Sequence, residues 1–286
     1  MSTVRTYNPS VRVGNWNEDI CLEEDTMKDF MEKRERGQLL IQKASQMSSN
    51  ILKKAELSIT RDGFVHFGDV VMLMNAGSKD VTGAELRGAT TMAVNMSESQ
   101  MHEAERLEGP CAVSATKRLE PTARNTFVIM PVDDSPPGAP LTHGQHFMIC
   151  TGPGQGGNLK LHSDIATFTK CSKKSRQQEV CLQEQTCYLS EWKVLSFNPL
   201  IRMETEGLPV PANQKLVIVH CKTNQALNVV GDYVLKTPFG SEYEITANTV
   251  LDSHRAEKDS NHWIFSSGTA QDPTMPEQIL PVGARQ

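Results

Sequence analysis

Several clusters in the chain hold side chains that could do chemistry if the fold brought them together. Gly152-Pro-Gly-Gln-Gly156-Gly157 has the glycine density of a phosphate-cradling loop. It lacks the Gly-Lys-Ser/Thr ending that grips phosphate and its metal, and it falls between two predicted strands instead of before a helix. A long hairpin turn is the expected reading. His143 and His146 are three residues apart; in a strand that spacing sets them on opposite faces, unable to share a metal ion. Asp252-Ser253-His254 contains the residue types of a nucleophilic triad, but consecutive residues cannot converge into a relay. Turn and capping roles are expected there and at Asn261. Cys21, Cys111, Cys150, Cys171, Cys181, Cys187 and Cys221 form no C-x-x-C pair, and no motif couples one of them to a histidine and an orienting group. Buried, inert thiols are expected. No paired-carboxylate pattern stands out. The reading is a binding protein that is not an enzyme, with no cofactor and no metal.

Composition narrows the partners. The net charge is −5, and the densest basic cluster, Lys170 to Arg176, has four bases in seven residues. Neither supplies the basic face that nucleic acid requires, nor a polybasic membrane anchor. No apolar run approaches the ~18 residues of a membrane-crossing helix, and Met1 to Ser10 has no apolar core of a secretory signal. A cytoplasmic chain with reduced thiols is expected.

These residues must be positioned by two kinds of element. Residues 1–16 are mostly polar and read as an extended arm. Asn17 is a predicted N-cap, with Glu18 and Asp19 in the first turn. A helical segment over 17–55 follows. Ile20, Met27, Phe30 and Met31 share one stripe, and Glu24 to Lys28, Asp29 to Lys33 and Glu32 to Arg36 are acid-to-base pairs at i,i+4. Gly37 interrupts it, and Leu40, Ala44, Met47 and Ile51 form a second helical phase. From residue 57 the period changes to two: Leu57 and Ile59, Phe64 and His66, then Val70, Met72 and Met74 read as strands, with Gly and Pro punctuating all that follows. The segment 268–286 reads as a flexible tail.

The β region repeats itself. Phe67-Gly-Asp-Val-Val-Met-Leu-Met-Asn75, His143-Gly-Gln-His-Phe-Met-Ile-Cys-Thr151 and Ala212-Asn-Gln-Lys-Leu-Val-Ile-Val-His220 each place a turn before a strand, with Gly68, Gly144 and Asn213 at the turn. These residue types tolerate the left-handed conformation. Each unit closes on an aromatic strand at Phe127, Trp192 and Trp263, which are 59, 48 and 50 residues beyond their turns. One such unit cannot bury its own apolar face, so three must pack around a shared axis. The expected architecture is mainly β: a β-trefoil-like body over 57–267, with repeats at about 57–131, 140–196 and 208–267, behind an N-terminal helical arm. An irregular sandwich with three similar turns is the alternative. The turn-to-strand pattern resembles MIR-type trefoils, without the lectin-type Q-x-W.

Two stretches are more specific. Val11-Arg-Val-Gly-Asn-Trp-Asn-Glu-Asp19 continues through Leu22-Glu-Glu24, Met27-Lys-Asp-Phe30 and Glu32-Lys-Arg34 to Leu39-Leu-Ile-Gln42; Leu251-Asp-Ser-His-Arg255 is followed by Glu257-Lys258 and Asn261-His-Trp263. Between them stand Arg124-Asn-Thr-Phe127 and Pro209-Val-Pro-Ala-Asn213. In this order they resemble the cilia- and flagella-associated protein 161 family, microtubule inner proteins of axonemal doublets. The resemblance implies an axonemal, cytoskeletal location in the cilium or flagellum. It also implies binding to the α/β tubulin lattice on the lumenal side, near the A-tubule seam, with other microtubule inner proteins as neighbours and a role in ciliary movement. It implies no catalysis. Arg12, Trp16, Asn17 and Arg255 are the candidate partner contacts. Trp16 either fastens the arm to the body or anchors an interface, and Arg255 is either a contact or a solvated arginine. Trp192 and Trp263 read as core. The competing function is a β-trefoil that binds carbohydrate or another small ligand.

Overall fold

The computed structural model describes residues 16–79, 85–97, 100–101, 107–152 and 158–268. Arg12, the arm before residue 16, most of the Gly152–Gly157 loop and the tail after Gly268 lie outside them. Two helices come first, α1 (Trp16–Glu35) and α2 (Leu40–Ile51). α1 begins at Trp16, so Asn17 sits inside the first turn and is not its cap. Gly37 ends this helix with φ 72°. Its N–H donates to Arg34 O and that of Gln38 to Lys33 O, a pairing that satisfies the last carbonyls and needs a left-handed residue at position 37.

The strands are β1 (Val70–Asn75), β2 (Ser78–Lys79), β3 (Glu85–Arg87), β4 (Thr90–Asn95), β5 (Cys111–Thr116), β6 (Thr126–Pro131), β7 (His146–Thr151), β8 (Lys160–Ser163), β9 (Gln178–Gln183), β10 (Trp192–Ser196), β11 (Lys215–His220), β12 (Leu227–Thr237), β13 (Gly240–Ala247) and β14 (His262–Ser266). The chain is mainly β with a helical N-terminal region. Residues 57–66, expected as strands, bend at 61–63 and make only isolated bridges such as Phe64 to Pro211 and His66 to Pro140. Their backbone groups are used between loops, so no ladder forms.

Six strands close a ring through antiparallel pairs, in the order β1, β6, β7, β10, β11, β14 and back to β1. Hairpins β4–β5, β8–β9 and β12–β13 stand beside it, and their strands pair with one another: β5 with β9, and β13 with both. Alternation buries one face of the ring strands, as in β10, where Trp192, Val194 and Ser196 point inward. Phe127, Phe147, Trp192, Trp263 and Phe265 fill the centre, with Phe147 and Phe265 edge to face at 6.1 Å.

Under the ring the loops interlock in a cycle. Val65 N–H donates to Val210 O (3.0 Å), Val210 N–H to Leu141 O (2.8 Å), and Leu141 N–H to Val65 O (2.8 Å). All three side chains are fully buried. Gly68, Gly144 and Asn213 have φ of 94°, 85° and 59°. Their N–H groups donate to Ile129, Val194 and Phe265, in each case the carbonyl two residues beyond Phe127, Trp192 or Trp263. A short 3-10 turn precedes β6, β10 and β14, at Ala123–Asn125, Tyr188–Ser190 and Asp259–Asn261, and buries Asn125, Ser190 and Asn261. Gly268 is fastened by its N–H to Ser58 O at 3.0 Å, so ordered backbone reaches the first residue of the predicted tail.

Candidate partner-binding surface

Among the described residues, α1 is left uncovered. Every described side chain from 21 to 35 is exposed. Met27, Phe30 and Met31 stand one turn apart on one stripe, 66%, 46% and 47% exposed. The ion pairs Lys28–Glu24 (3.8 Å), Lys33–Asp29 (2.7 Å) and Arg36–Glu32 stabilise the helix from its polar side. All are exposed, so each contributes only a few tenths of a kcal/mol.

α2 behaves differently. Met47 and Ile51 enter the core, while Ile41 stays 81% exposed. The chain after it is pinned by Ala123 N–H to Lys53 O (2.8 Å) and Ala55 N–H to Pro121 O (3.2 Å). Gln42 joins the two helices: its Oε1 accepts from Leu39 N–H (3.3 Å), and its Nε2 donates to Arg34 O (3.1 Å). α2 is thus anchored, and it carries α1 outward.

Of the four predicted contacts, Trp16 and Asn17 open α1 with side chains outside the described residues, and Arg12 lies wholly outside them. Arg255 is exposed at the opposite end of the sequence, with φ 61°. A left-handed arginine costs ~1 kcal/mol or more. Asp252 holds the turn: its Oδ1 accepts from the N–H groups of His254 (2.8 Å) and Ala256 (2.9 Å). The Ala256 bond first, then the His254 bond, keep this carboxyl below its usual range. Asp252 therefore serves the backbone and is not free to orient His254.

The remaining chemistry-bearing residues fall as follows. His143 is buried in the loop before β7, and His146 is exposed on β7 with Nδ1 2.9 Å from Glu191 Oε2. Burial pushes the Cys111 thiol up to about 12 and those of Cys150, Cys181 and Cys221 up to about 11. Thiols so displaced are poor nucleophiles. One approach went unseen in the sequence, where no motif joins the two residues: Cys187 Sγ lies 3.7 Å from His162 Nδ1. Burial lowers the His162 pKa, so the ring stays neutral near pH 7 and lends the thiol no positive partner. Among the described residues no cluster of three or more His, Cys, Asp or Glu could hold a metal ion.

Comparison with known proteins supplies the family. The Cilia- and flagella-associated protein 161-like domain matches residues 43–268. Cilia- and flagella-associated protein 161 of Danio rerio is 46% identical over 273 residues, covering 93% of this chain and 90% of that one. The Bos taurus protein of the same name is 43% identical over 265 residues, covering 92% and 82%. A solved Caenorhabditis elegans protein of unknown function is 15% identical with a TM-score of 0.50, covering 73% of this chain and 98% of that one, a likeness of fold alone. With a matched domain over most of its length and relatives of this identity, the chain belongs to the cilia- and flagella-associated protein 161 family.

Proposed function

We propose that this chain is a structural microtubule inner protein that binds the lumenal wall of the A-tubule, near its seam, in ciliary doublets and stabilises the axoneme for movement. The observation that carries the reading is α1: twenty residues of helix whose apolar stripe of Met27, Phe30 and Met31 is solvent-facing among the described residues. An apolar stripe held out by an anchored helix is suited to a groove on a partner. Tubulin and neighbouring inner proteins are the partners in this reading; nucleic acid and membrane are not. The body is read as a β-trefoil of three repeats, supported by the closed six-strand ring, the three hairpins and the cyclic bonding of Val65, Leu141 and Val210. Such a body offers a rigid, wide footprint while the arm supplies the anchor. Axonemes stripped of membrane and matrix by detergent and then salt test the reading: the protein should stay with the doublets, and its full release into the soluble fraction would sink it.

A second reading, a trefoil that binds a small polar ligand, has one observation in its favour. A cavity of about 210 Å3 beside β7 is lined by His143, His146, Lys193, Ser196, Arg202 and Glu206. His143 Nδ1 is buried there without a hydrogen-bond partner among the described residues. Glycan-array binding by the full chain that His143→Phe abolishes would support it; an array without signal would count against it.

A further inference from the structure

The loop between β8 and β9 differs in character from the rest of this acidic chain. From Asp164 to Gln177 it carries four bases, Lys170, Lys173, Lys174 and Arg176, against one acid, Asp164. All four bases are exposed. Lys170 pairs with Asp164 at 3.2 Å, and among the described residues no carboxylate lies within ion-pair distance of the other three. At the tip stand two large apolar side chains, Phe168, 90% exposed, and Ile165, 55% exposed.

The loop is held in one shape. Glu244, itself buried in β13, accepts from the backbone N–H groups of Lys174 (2.9 Å) and Ser175 (2.8 Å). The Ser172 and Ser175 hydroxyls bond at 2.7 Å, and Ser172 N–H donates to Gln177 O at 2.9 Å. Nearer the tip, Thr167 N–H donates to Lys170 O (2.9 Å), and Lys170 N–H to Thr167 Oγ1 (3.0 Å). Beside it runs a cleft of about 940 Å3 with Lys170, Lys173 and Lys236 on its walls, together with Asp164 and Glu179. An aromatic anchor set in a charged rim on a pre-ordered loop is the anatomy of a protein interface hot spot, because little entropy remains to be lost on docking.

We propose that this loop is a second docking surface, separate from α1, that fits an acidic protein face with an apolar recess for Phe168. It rests on the reading above in assigning that face to the microtubule wall. The net charge of −5 and the shortness of the basic segment argue against nucleic acid, which needs a continuous basic track.

The test is co-polymerisation of the full chain with purified tubulin, followed by sedimentation. The variants are Phe168→Ala and the triple reversal Lys170→Glu/Lys173→Glu/Lys174→Glu. Both leave the backbone bonds to Glu244 in place, and the reversal removes only the exposed Lys170–Asp164 pair, which contributes little to stability, so both melting temperatures should stay close to that of the unchanged chain. Phe168→Ala should weaken co-sedimentation by about tenfold or more, as truncation of an interface aromatic does. The triple reversal should weaken it further, and should remove the loss that the unchanged chain shows when salt rises from about 0.1 M to about 0.3 M and screening shortens. If the unchanged chain co-sediments and both variants do so equally, the loop proposal is refuted and the microtubule reading stands. If the unchanged chain does not co-sediment, both fall. If polyuridine RNA or vesicles of phosphatidylserine compete for the loop with equal affinity, the partner class is wrong and the proposal is overturned.

Discussion

Replacing Arg124 should cost more stability than replacing any surface charge. Arg124 and Glu242 are only 4% and 2% exposed. The guanidinium donates from Nη1 and Nη2 to the two Glu242 oxygens, both at 2.6 Å, and from Nε to Val94 O at 2.6 Å. Its face lies 3.9 Å from the Phe239 ring, and Ser114 Oγ donates to Glu242 Oε2 at 2.6 Å. Burial works against the Glu242 carboxylate, but Arg124 and then Ser114 hold it below the ordinary carboxylate range. The pair joins the turn before β6 to β13, with Val94 of β4, Ser114 of β5 and Phe239 of the β12–β13 turn around it. Arg124→Met removes one partner and leaves Glu242 charged, buried and short of two donors, at a cost of ~3–5 kcal/mol. For a chain of this size that lowers the melting temperature by roughly 6–20 °C. Urea unfolding followed by Trp fluorescence suits the measurement, because Trp192 and Trp263 are fully buried. Arg124→Met, Glu242→Gln and the double variant form a cycle with an expected coupling of about 2 kcal/mol or more. Because the folded pKa of Glu242 lies below its unfolded value, the pair contributes fully above pH ~4.3 and loses that contribution as pH falls through the lower folded value. The advantage over Glu242→Gln should therefore be equal at about pH 7 and pH 5 and shrink below ~4. A loss under ~1 kcal/mol for Arg124→Met, or additivity within ~0.5 kcal/mol, would refute the reasoning.

Three further outcomes are expected. Among the described residues none before 39 belongs to the core, so removing residues 1–38 should leave the unfolding free energy within ~0.5 kcal/mol of the full chain, whereas removing 1–55 also strips Met47 and Ile51 and should cost several-fold more. Burial depresses the pKa of His143, His162, His220 and His262. Their neutral folded state contributes fully above pH ~6.5 and less as pH falls toward the folded values, so a urea midpoint unchanged between about pH 7 and about pH 5.5 would contradict this. Gly68→Ala meets no atom within 4 Å but forces φ 94° on an L side chain, so it should destabilise by ~1–2 kcal/mol; Gly88→Ala, with equal space and no positive φ, should stabilise by ~0.4–1 kcal/mol. Parallel chemical denaturation separates the two signs.

Local signals in this sequence were readable because they depend on neighbours along the chain. The change of period after residue 56 separates helix from strand, the i,i+4 charge pairs of α1 form between adjacent turns, and Gly37 supplies the left-handed residue that ends it. Family membership was readable too, because Val11 to Gln42 and Leu251 to Trp263 are long runs of distinctive residue types. Asn17 misled, since an asparagine before acidic residues suits a first turn as well as a cap. Residues 57–66 misled because their apolar spacing says nothing of which backbone would pair with them.

Other features have no local signal at all. Arg124 meets Glu242 across 118 residues, and Cys187 meets His162 across 25, with no motif to join them. Val65, Leu141 and Val210 bond in a cycle only because three loops converge under the ring. Phe168 has no neighbouring motif to mark it, yet it is left in solvent by a loop tied to buried Glu244. The amino-acid order determined which segments could be helix or strand and to which family the chain belongs. Which buried charge finds its partner, and which apolar side chains are left outside, depend on distances between residues far apart in the chain, and only the folded packing sets those distances.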